Sequence, residues 1–457
     1  MIYLLAKQKK YYKCTECGYK SSNWMGKCSS CDSWNTFVEY IENKSNKASQ
    51  NISRDITVKP LVEDSIETDD ERISVNIKEV DRVLGGGLVK GSLVLLGGEP
   101  GIGKSTLTLQ IANELARNNN KVLYISGEES VNQISIRAKR LNAFNENIFI
   151  MSITDINSIH EHLSSSNYDL VIADSIQTIY DSQYDSSPGS TVQIREVTSS
   201  FMSFAKKDNV PVIIIGHVTK KGQIAGPKLM EHMVDTVLYL SGESNNYRLL
   251  KGHKNRFGSV EEVGVFSMDG DGLCEVENPS NLFLRERPIN SSGSTVVPIS
   301  EGNRVILIEL QALVAPSSYG NPQRIASGID RGRANLILAV LEKRLGLNLS
   351  ERDAHFNIVG GLNVKEPALD LALASAIISS YLDYDIPSNA VFFGEIGLSG
   401  EVRSVQADNN RIKEAIKMNF NQIVLPKGNI KGKEFKNIDL HPISNVNELF
   451  NLIKNNF

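Results

Sequence analysis

From Ile73 onward the chain alternates between short apolar runs and longer stretches in which apolar residues recur every three or four positions. The runs read as buried strands at 92–97, Val122–Ile125, Leu170–Ala173, Val212–Ile215, Val237–Leu240 and Tyr247–Leu250. Stretches of helical period lie between the first four. In the first of these, Leu107, Ile111 and Leu115 repeat, with Ala112 and Ala116 beside them. Strands alternating with helices predict an α/β fold with a largely parallel central sheet. Such sheets bind ligands outside the carboxyl ends of their strands.

The pattern breaks twice. Residues 41–72 are polar, aperiodic and end in an acidic run, Glu67-Thr-Asp69-Asp70-Glu71, which reads as a flexible linker. A second junction falls at 276–295, around Asn278-Pro-Ser-Asn and Arg285-Glu-Arg-Pro. Beyond it the alternation resumes, with strands at Val305–Leu310 and Phe356–Val359 and helices at 330–345 and 366–381. The expected organisation is therefore a small module at 1–40, a linker at 41–72, an α/β domain at 73–275, the junction, and a second α/β domain at 296–457.

Composition narrows the reading. At 41% hydrophobic and 22% charged residues, the 457-residue chain has material for ordinary packed cores. A formal net charge of −4 means that any nucleic-acid surface must be a local patch. There is no run of eighteen apolar residues, so no transmembrane helix is expected. Met1-Ile-Tyr-Leu-Leu-Ala6 is too short for a signal peptide and is followed by lysines, so a cytoplasmic protein without membrane association is expected.

Gly98-Glu-Pro-Gly-Ile-Gly-Lys104-Ser105 has the spacing of a phosphate-binding loop, set between an apolar strand and a periodic helix. Glycines let backbone N–H groups close around phosphate oxygens, and the helix N-terminus adds partial positive charge. The expected cradle for ATP is Gly98, Glu99, Pro100, Gly101, Ile102, Gly103, Lys104, Ser105 and Thr106. Lys104 would reach the β- and γ-phosphates, and the Ser105 hydroxyl would hold Mg²⁺. Asp174 closes the apolar run Asp169-Leu-Val-Ile-Ala, where an NTPase carries the acid that holds Mg²⁺ through water. Glu128 and Glu129 end another strand, and one of them could polarise the attacking water. His217 ends a third and could sense the γ-phosphate.

Cys14-x-x-Cys17 and Cys28-x-x-Cys31 are separated by ten residues, and each pair sits on a turn. Two such knuckles present four thiolates tetrahedrally to Zn²⁺. A redox Cys-x-x-Cys needs a βαβ setting that this stretch lacks. So short a segment would take most of its folding energy from the metal. Trp24, Trp34 and Phe37 could stack on bases or cap the zinc site. The surrounding lysines suit a phosphate backbone. The stretch Thr219–Lys228, with Lys220, Lys221 and Lys228, reads as a basic loop that could track nucleic acid or simply be solvated.

Leu84-Gly-Gly-Gly-Leu88, Ser126-Gly-Glu-Glu-Ser130, the 217–228 loop with Met230-Glu-His-Met-Val-Asp235, and Lys254-Asn-Arg-Phe-Gly258 together resemble the bacterial RadA (Sms) DNA repair family, as does the four-cysteine module. The resemblance covers nearly the whole chain. It implies a RecA-like P-loop ATPase core in a homo-hexameric ring, acting as a helicase on single-stranded and branched DNA. Branch migration would extend strand invasion beside a recombinase of the RecA type. It further implies that Glu128 is the catalytic glutamate and that 219–228 is a DNA loop. Lys254 and Arg256 would carry a nucleotide-linked role, reaching a neighbour's ATP; on chemistry alone they could equally be a solvated turn.

Val391-Phe-Phe-Gly-Glu-Ile-Gly-Leu-Ser-Gly-Glu401 is similar to the corresponding segment of the Lon protease domain. Ser–Lys proteolysis would need a Ser near the start of the 366–381 helix and a Lys near 409. The chain offers Lys365-Glu-Pro-Ala-Leu-Asp370 and Asn409 there, and Leu and Asn cannot do this chemistry. Ser375, Ser399 and Lys413 fall elsewhere. A non-proteolytic scaffold is expected, with Arg324, Arg331, Arg333, Lys343 and Arg344 as a basic or merely solvated face. The competing functions are an ATP-dependent protease and an ATP-switched strand-exchange factor without motor activity.

Overall fold

The computed structural model describes residues 9–42, 72–217, 228–242, 247–289, 291–317, 322–430 and 438–455. The chain divides into two compact units, 1–70 and 71–457. The first is a three-stranded antiparallel sheet in the order β2-β1-β3, from Lys20–Ser21, Lys9–Cys14 and Phe37–Glu42. Among its described residues the apolar core is Cys14, Cys28 and Phe37, with Tyr12 and Met25 packed against them. A core that small needs a staple.

The second unit begins with a short pair, β4 (Arg72–Ile73) and β5 (Leu88–Val89), around α1 (Lys78–Leu84). A nine-stranded sheet follows. Its strands are β6 (Leu93–Gly98), β7 (Val122–Ser126), β8 (Ile148–Met151), β9 (Leu170–Asp174), β10 (Val212–His217), β11 (Thr236–Gly242), β12 (Tyr247–Asn255), β13 (Val263–Asp269) and β14 (Gly272–Glu275). They run in the order β14-β13-β12-β11-β6-β10-β9-β7-β8. The pairings from β11 to β8 are parallel, and β12, β13 and β14 add antiparallel strands at one side. The crossovers are α2 (Lys104–Arg117), α3 (Val131–Arg140), α4 (Ile156–Ser165) and α5 (Thr191–Asp208), with a short α6 (Lys228–Met233) before β11.

Side-chain alternation divides the core. Val94 and Leu96 of β6 join α2 on one face, while Leu93 and Leu95 join α4 and α5 on the other. With both faces covered, the central strands are apolar throughout, as the uninterrupted runs in the sequence require.

After β14 the chain packs α7 (Pro279–Leu284), capped by Asn278 and burying Phe283. Part of the 276–295 stretch is thus built into the fold. The remainder holds a four-stranded sheet, β15 (Ser294–Glu301), β16 (Arg304–Pro316), β18 (Arg352–Ile358) and β17 (Arg324–Ser327) in that order, with α8 (Arg331–Leu345) and α9 (Leu369–Leu382). The α9 helix is buried at every position from Leu369 to Ser379, so it is the centre of this layer. Beyond it come β19 (Ala390–Phe392), the β20–β21 pair (Glu395–Ile396, Val402–Arg403), α10 (Asp408–Lys417), β22 (Gln422–Pro426), β23 (Asp439–Ile443) and α11 (Val446–Lys454). Buried Glu79 of α1 accepts from the Val265 N–H of β13 and from Arg304 of β16, which ties the two layers together.

Candidate functional site

The phosphate loop runs from the end of β6 into α2. Gly98 has no room for a side chain, since a Cβ there would lie 2.5 Å from the Leu240 carbonyl oxygen, and Gly103 takes a left-handed backbone conformation that side chains disfavour. Gly103 caps α2 at φ 113°, without a side-chain cap, so the first N–H groups of the helix face the loop. Arg248 of β12 holds the loop from outside, its Nε donating to the Ile102 carbonyl at 3.1 Å.

Lys104 is buried and folds back over the loop, donating to the carbonyls of Gly98 (2.8 Å) and Glu99 (2.9 Å). Burial pushes its pKa below the usual lysine value, opposed by the charges of Asp174 and Glu128. Those two acids come from adjacent strand ends: β7 and β9 pair with Ser126 opposite Asp174, and the Gly127 N–H donates to the Asp174 carbonyl. The Asp174–Ser175 peptide is cis.

The two glutamates differ in their partners. Glu128 accepts from the Ser175 hydroxyl at 2.5 Å. Glu129 is ion-paired with Arg137 of α3. Asp174 Oδ2 accepts from the Tyr124 hydroxyl at 2.7 Å. His217 ends β10 opposite Gly98 in the register.

Lys254 donates to the carbonyls of Glu231 (2.7 Å), His232 (3.3 Å) and Val234 (2.6 Å). Burial and the nearby Arg256 lower its pKa, against Asp235 and Glu231. Arg256 lies 3.6 Å from Asp235, whose other oxygen accepts from the Leu93 N–H. Both cations therefore sit on segment 231–235, just after the basic loop. Lys220 and Lys221 lie outside the described residues. Lys228 opens α6, but its side chain lies outside them.

The four cysteines converge, their sulfurs all within 4.8 Å of one another. Cys14 and Cys31 are 3.7 Å apart, and Cys17 and Cys28 3.6 Å. Tetrahedral bonds of ~2.3 Å to zinc put sulfurs about 3.8 Å apart, so the set fits. The two knuckles close alike: Gly18 N–H donates to the Cys14 carbonyl and Asp32 N–H to that of Cys28, each at 2.9 Å. Burial raises the Cys14 thiol, but Thr36 and backbone N–H groups outweigh it and bring it to about 6. Phe37 is buried against Cys14 and Cys28, whereas Trp24 and Trp34 are exposed.

The second α/β layer holds no Ser–Lys pair among the described residues. Leu369 is buried, Ser375 donates back to the Leu371 carbonyl, and Glu366 is ion-paired with buried Arg411. Of the expected basic face, Arg333 is ion-paired with buried Asp370 and Arg324 donates to the Leu349 carbonyl; neither is simply solvated. Tyr124, Ser175 and Arg248 were not expected from sequence. A Tyr within a strand of buried aliphatics was the one available signal.

Residues 58–223 match an AAA domain, 12–39 a rubredoxin metal-binding domain, and 337–429 subunit ChlI of Mg-chelatase. The chain is 48% identical over 450 residues to DNA repair protein RadA of Bacillus subtilis, covering 97% of this chain and 98% of that one. It is 46% identical over 457 residues to DNA repair protein RadA of Chlamydia trachomatis, covering 99% and 100%. Among solved structures, a KaiC-like protein from Pyrococcus horikoshii aligns over 46% of this chain and 100% of its own, at 21% identity and TM-score 0.40.

Proposed function

The chain belongs to the family of the DNA repair protein RadA, and from that premise we propose that it is a DNA-dependent ATPase motor of recombinational repair. The observation that carries the reading is the convergence of Lys104, Asp174 and Glu128 on one phosphate loop.

ATP would displace Lys104 from the Gly98 and Glu99 carbonyls, and the ammonium would turn to the β- and γ-phosphates. The N–H groups of the loop would hold the phosphates. Ser105 and Asp174 would hold Mg²⁺, which neutralises charge on the phosphate oxygens when bound. Glu128, oriented by Ser175, would take a proton from the attacking water. Glu129 is less suited, because its carboxylate is engaged by Arg137.

Lys254 and Arg256 would act on nucleotide through segment 231–235 or across a subunit interface. The 219–228 loop, with Lys220, Lys221 and Lys228, would grip DNA. The layout proposed is a zinc module at 1–40, a linker at 41–72, a RecA-like core at 73–275, a junction at 276–295 and a Lon-like scaffold at 296–457. The assembly proposed is a cytoplasmic homo-hexamer acting on single-stranded and branched DNA beside a RecA-type recombinase. Helicase action and branch migration are the motor's proposed output. No helix among the described residues is long and apolar enough to cross a membrane.

The test is the ATPase rate with and without single-stranded DNA, followed by unwinding of a forked duplex. Stimulation by DNA with no unwinding would leave an ATP-switched binding protein in place of a motor.

A further inference from the structure

We propose that Tyr124 is a positioning residue for the magnesium site, fixing the carboxylate of one of its protein ligands. This rests on the reading of Ser105 and Asp174 as those ligands. Tyr124 lies on β7 between α2 and β9 and is fully buried, 1% exposed. Its hydroxyl donates to Asp174 Oδ2 at 2.7 Å. On the other side it lies 3.5 Å from Thr108 Oγ1. Thr108 is one helical turn beyond Lys104, and its hydroxyl reaches the carbonyls of Lys104 (3.2 Å) and Ser105 (3.4 Å).

The chemistry follows from these contacts. A carboxylate that holds a metal through water must present one oxygen at a fixed angle. Asp174 ends a strand, and the terminal torsion of an aspartate is intrinsically broad. The phenol takes one oxygen and leaves the other for the water shell. A phenol keeps its proton at neutral pH, so it acts here as a donor. Thr108, 3.5 Å away, commits its own proton to the Lys104 and Ser105 carbonyls, so the directed bond of the phenol is the one to Asp174. An apolar ring would fill this space equally well, so the hydroxyl's contribution is the hydrogen bond. Outer partners of metal ligands commonly contribute about 10–100-fold to metal affinity.

The experiment measures Mn²⁺ binding by electron paramagnetic resonance to the full-length protein saturated with a non-hydrolysable ATP analogue. Analogue affinity in EDTA is measured alongside. Tyr124→Phe keeps the ring and should keep the fold. The expected result is a Mn²⁺ half-saturation weakened by about tenfold, with analogue affinity in EDTA unchanged. Asp174→Asn serves as the reference. If it weakens Mn²⁺ binding and Tyr124→Phe does not, the role of Tyr124 is overturned while that of Asp174 stands. If neither variant weakens binding, Asp174 is not a ligand and both assignments fall.

Discussion

The Ser175 hydroxyl lies 2.5 Å from Glu128 Oε1, and the neighbouring Glu129 is ion-paired with Arg137. Two adjacent carboxylates thereby have partners of different charge. The group hydrogen-bonded to Glu128 is a neutral hydroxyl, whereas the Glu129 carboxylate is engaged by a guanidinium. Glu128→Gln should leave ATP affinity nearly unchanged and lower the hydrolysis rate by about 10²–10⁴-fold. Glu129→Gln should change the rate far less. Steady-state ATPase assays with nucleotide-binding titrations decide this, and a wild-type rate for Glu128→Gln would move the role elsewhere.

Lys104 is held low in pKa by its burial, against the pull of Asp174 and Glu128. Lys104→Ala should abolish hydrolysis, since nothing nearby replaces the ammonium at the γ-phosphate. The pH dependence has a definite sign. The folded-state pKa is below the unfolded value of 10.5, so between the two the unfolded chain holds more protons. The contribution of Lys104 to stability therefore rises with pH across that window. ATP binding needs the charged form, so affinity should fall as pH rises through the lowered pKa. Nucleotide titrations across alkaline pH should show this limb in the wild type and not in Lys104→Ala.

Much of this was legible in the chain. The loop from Gly98 to Ser105 announces itself by spacing, and Asp174 by its place at the end of an apolar run. What stayed hidden depends on tertiary neighbours. Glu128 and Glu129 are adjacent in sequence, and Ser175, just after β9, and Arg137 on α3 distinguish them. Strand β8 has four residues after a polar stretch, too short to show a period. Strand β13 is interrupted by Gly264, which reads as a breaker. It is glycine because a Cβ there would lie 2.5 Å from the Glu79 carbonyl oxygen, in the contact that docks α1. Strand β19, after α9, has three residues and is eclipsed by that helix, which is buried around its whole circumference.

The zinc module offers a separate prediction. The purified protein should carry about one zinc per chain, and Cys14→Ser should lose it. The first forty residues should then unfold, because Cys14, Cys28, Phe37 and two partly buried neighbours are the apolar core among their described residues. The core of the second unit shares none of these residues and should keep its melting transition. Elemental analysis and proteolysis check both halves. Zinc absent from unchelated wild-type protein would refute the site.

The last prediction concerns DNA. The chain is net negative, so a DNA-binding ring must concentrate its positive charge. Lys220 and Lys221, outside the described residues, and Lys228 are the candidates. In a ring each subunit's loop can grip successive phosphates, so a small charge per chain is multiplied by assembly. Each phosphate neutralised releases counterion, so binding should weaken with salt at a slope of roughly −0.7 per contact on single strands. The double variant Lys220→Ala, Lys221→Ala should flatten that slope. It should also lower affinity alike for all sequences, because phosphate contacts carry no base information. DNA stimulation of hydrolysis should be lost while basal ATPase remains, since the Lys104, Glu128 and Asp174 site is untouched. The loop lies between β10, whose last residue His217 pairs in register with Gly98, and α6, whose terminal carbonyls Lys254 holds. DNA held between these ends should therefore alter ATP affinity through His217 beside Gly98, and by reciprocity ATP should alter DNA affinity. Unchanged affinity and salt slope in the double variant would remove the loop from consideration and shift DNA binding to the zinc module or the second α/β layer.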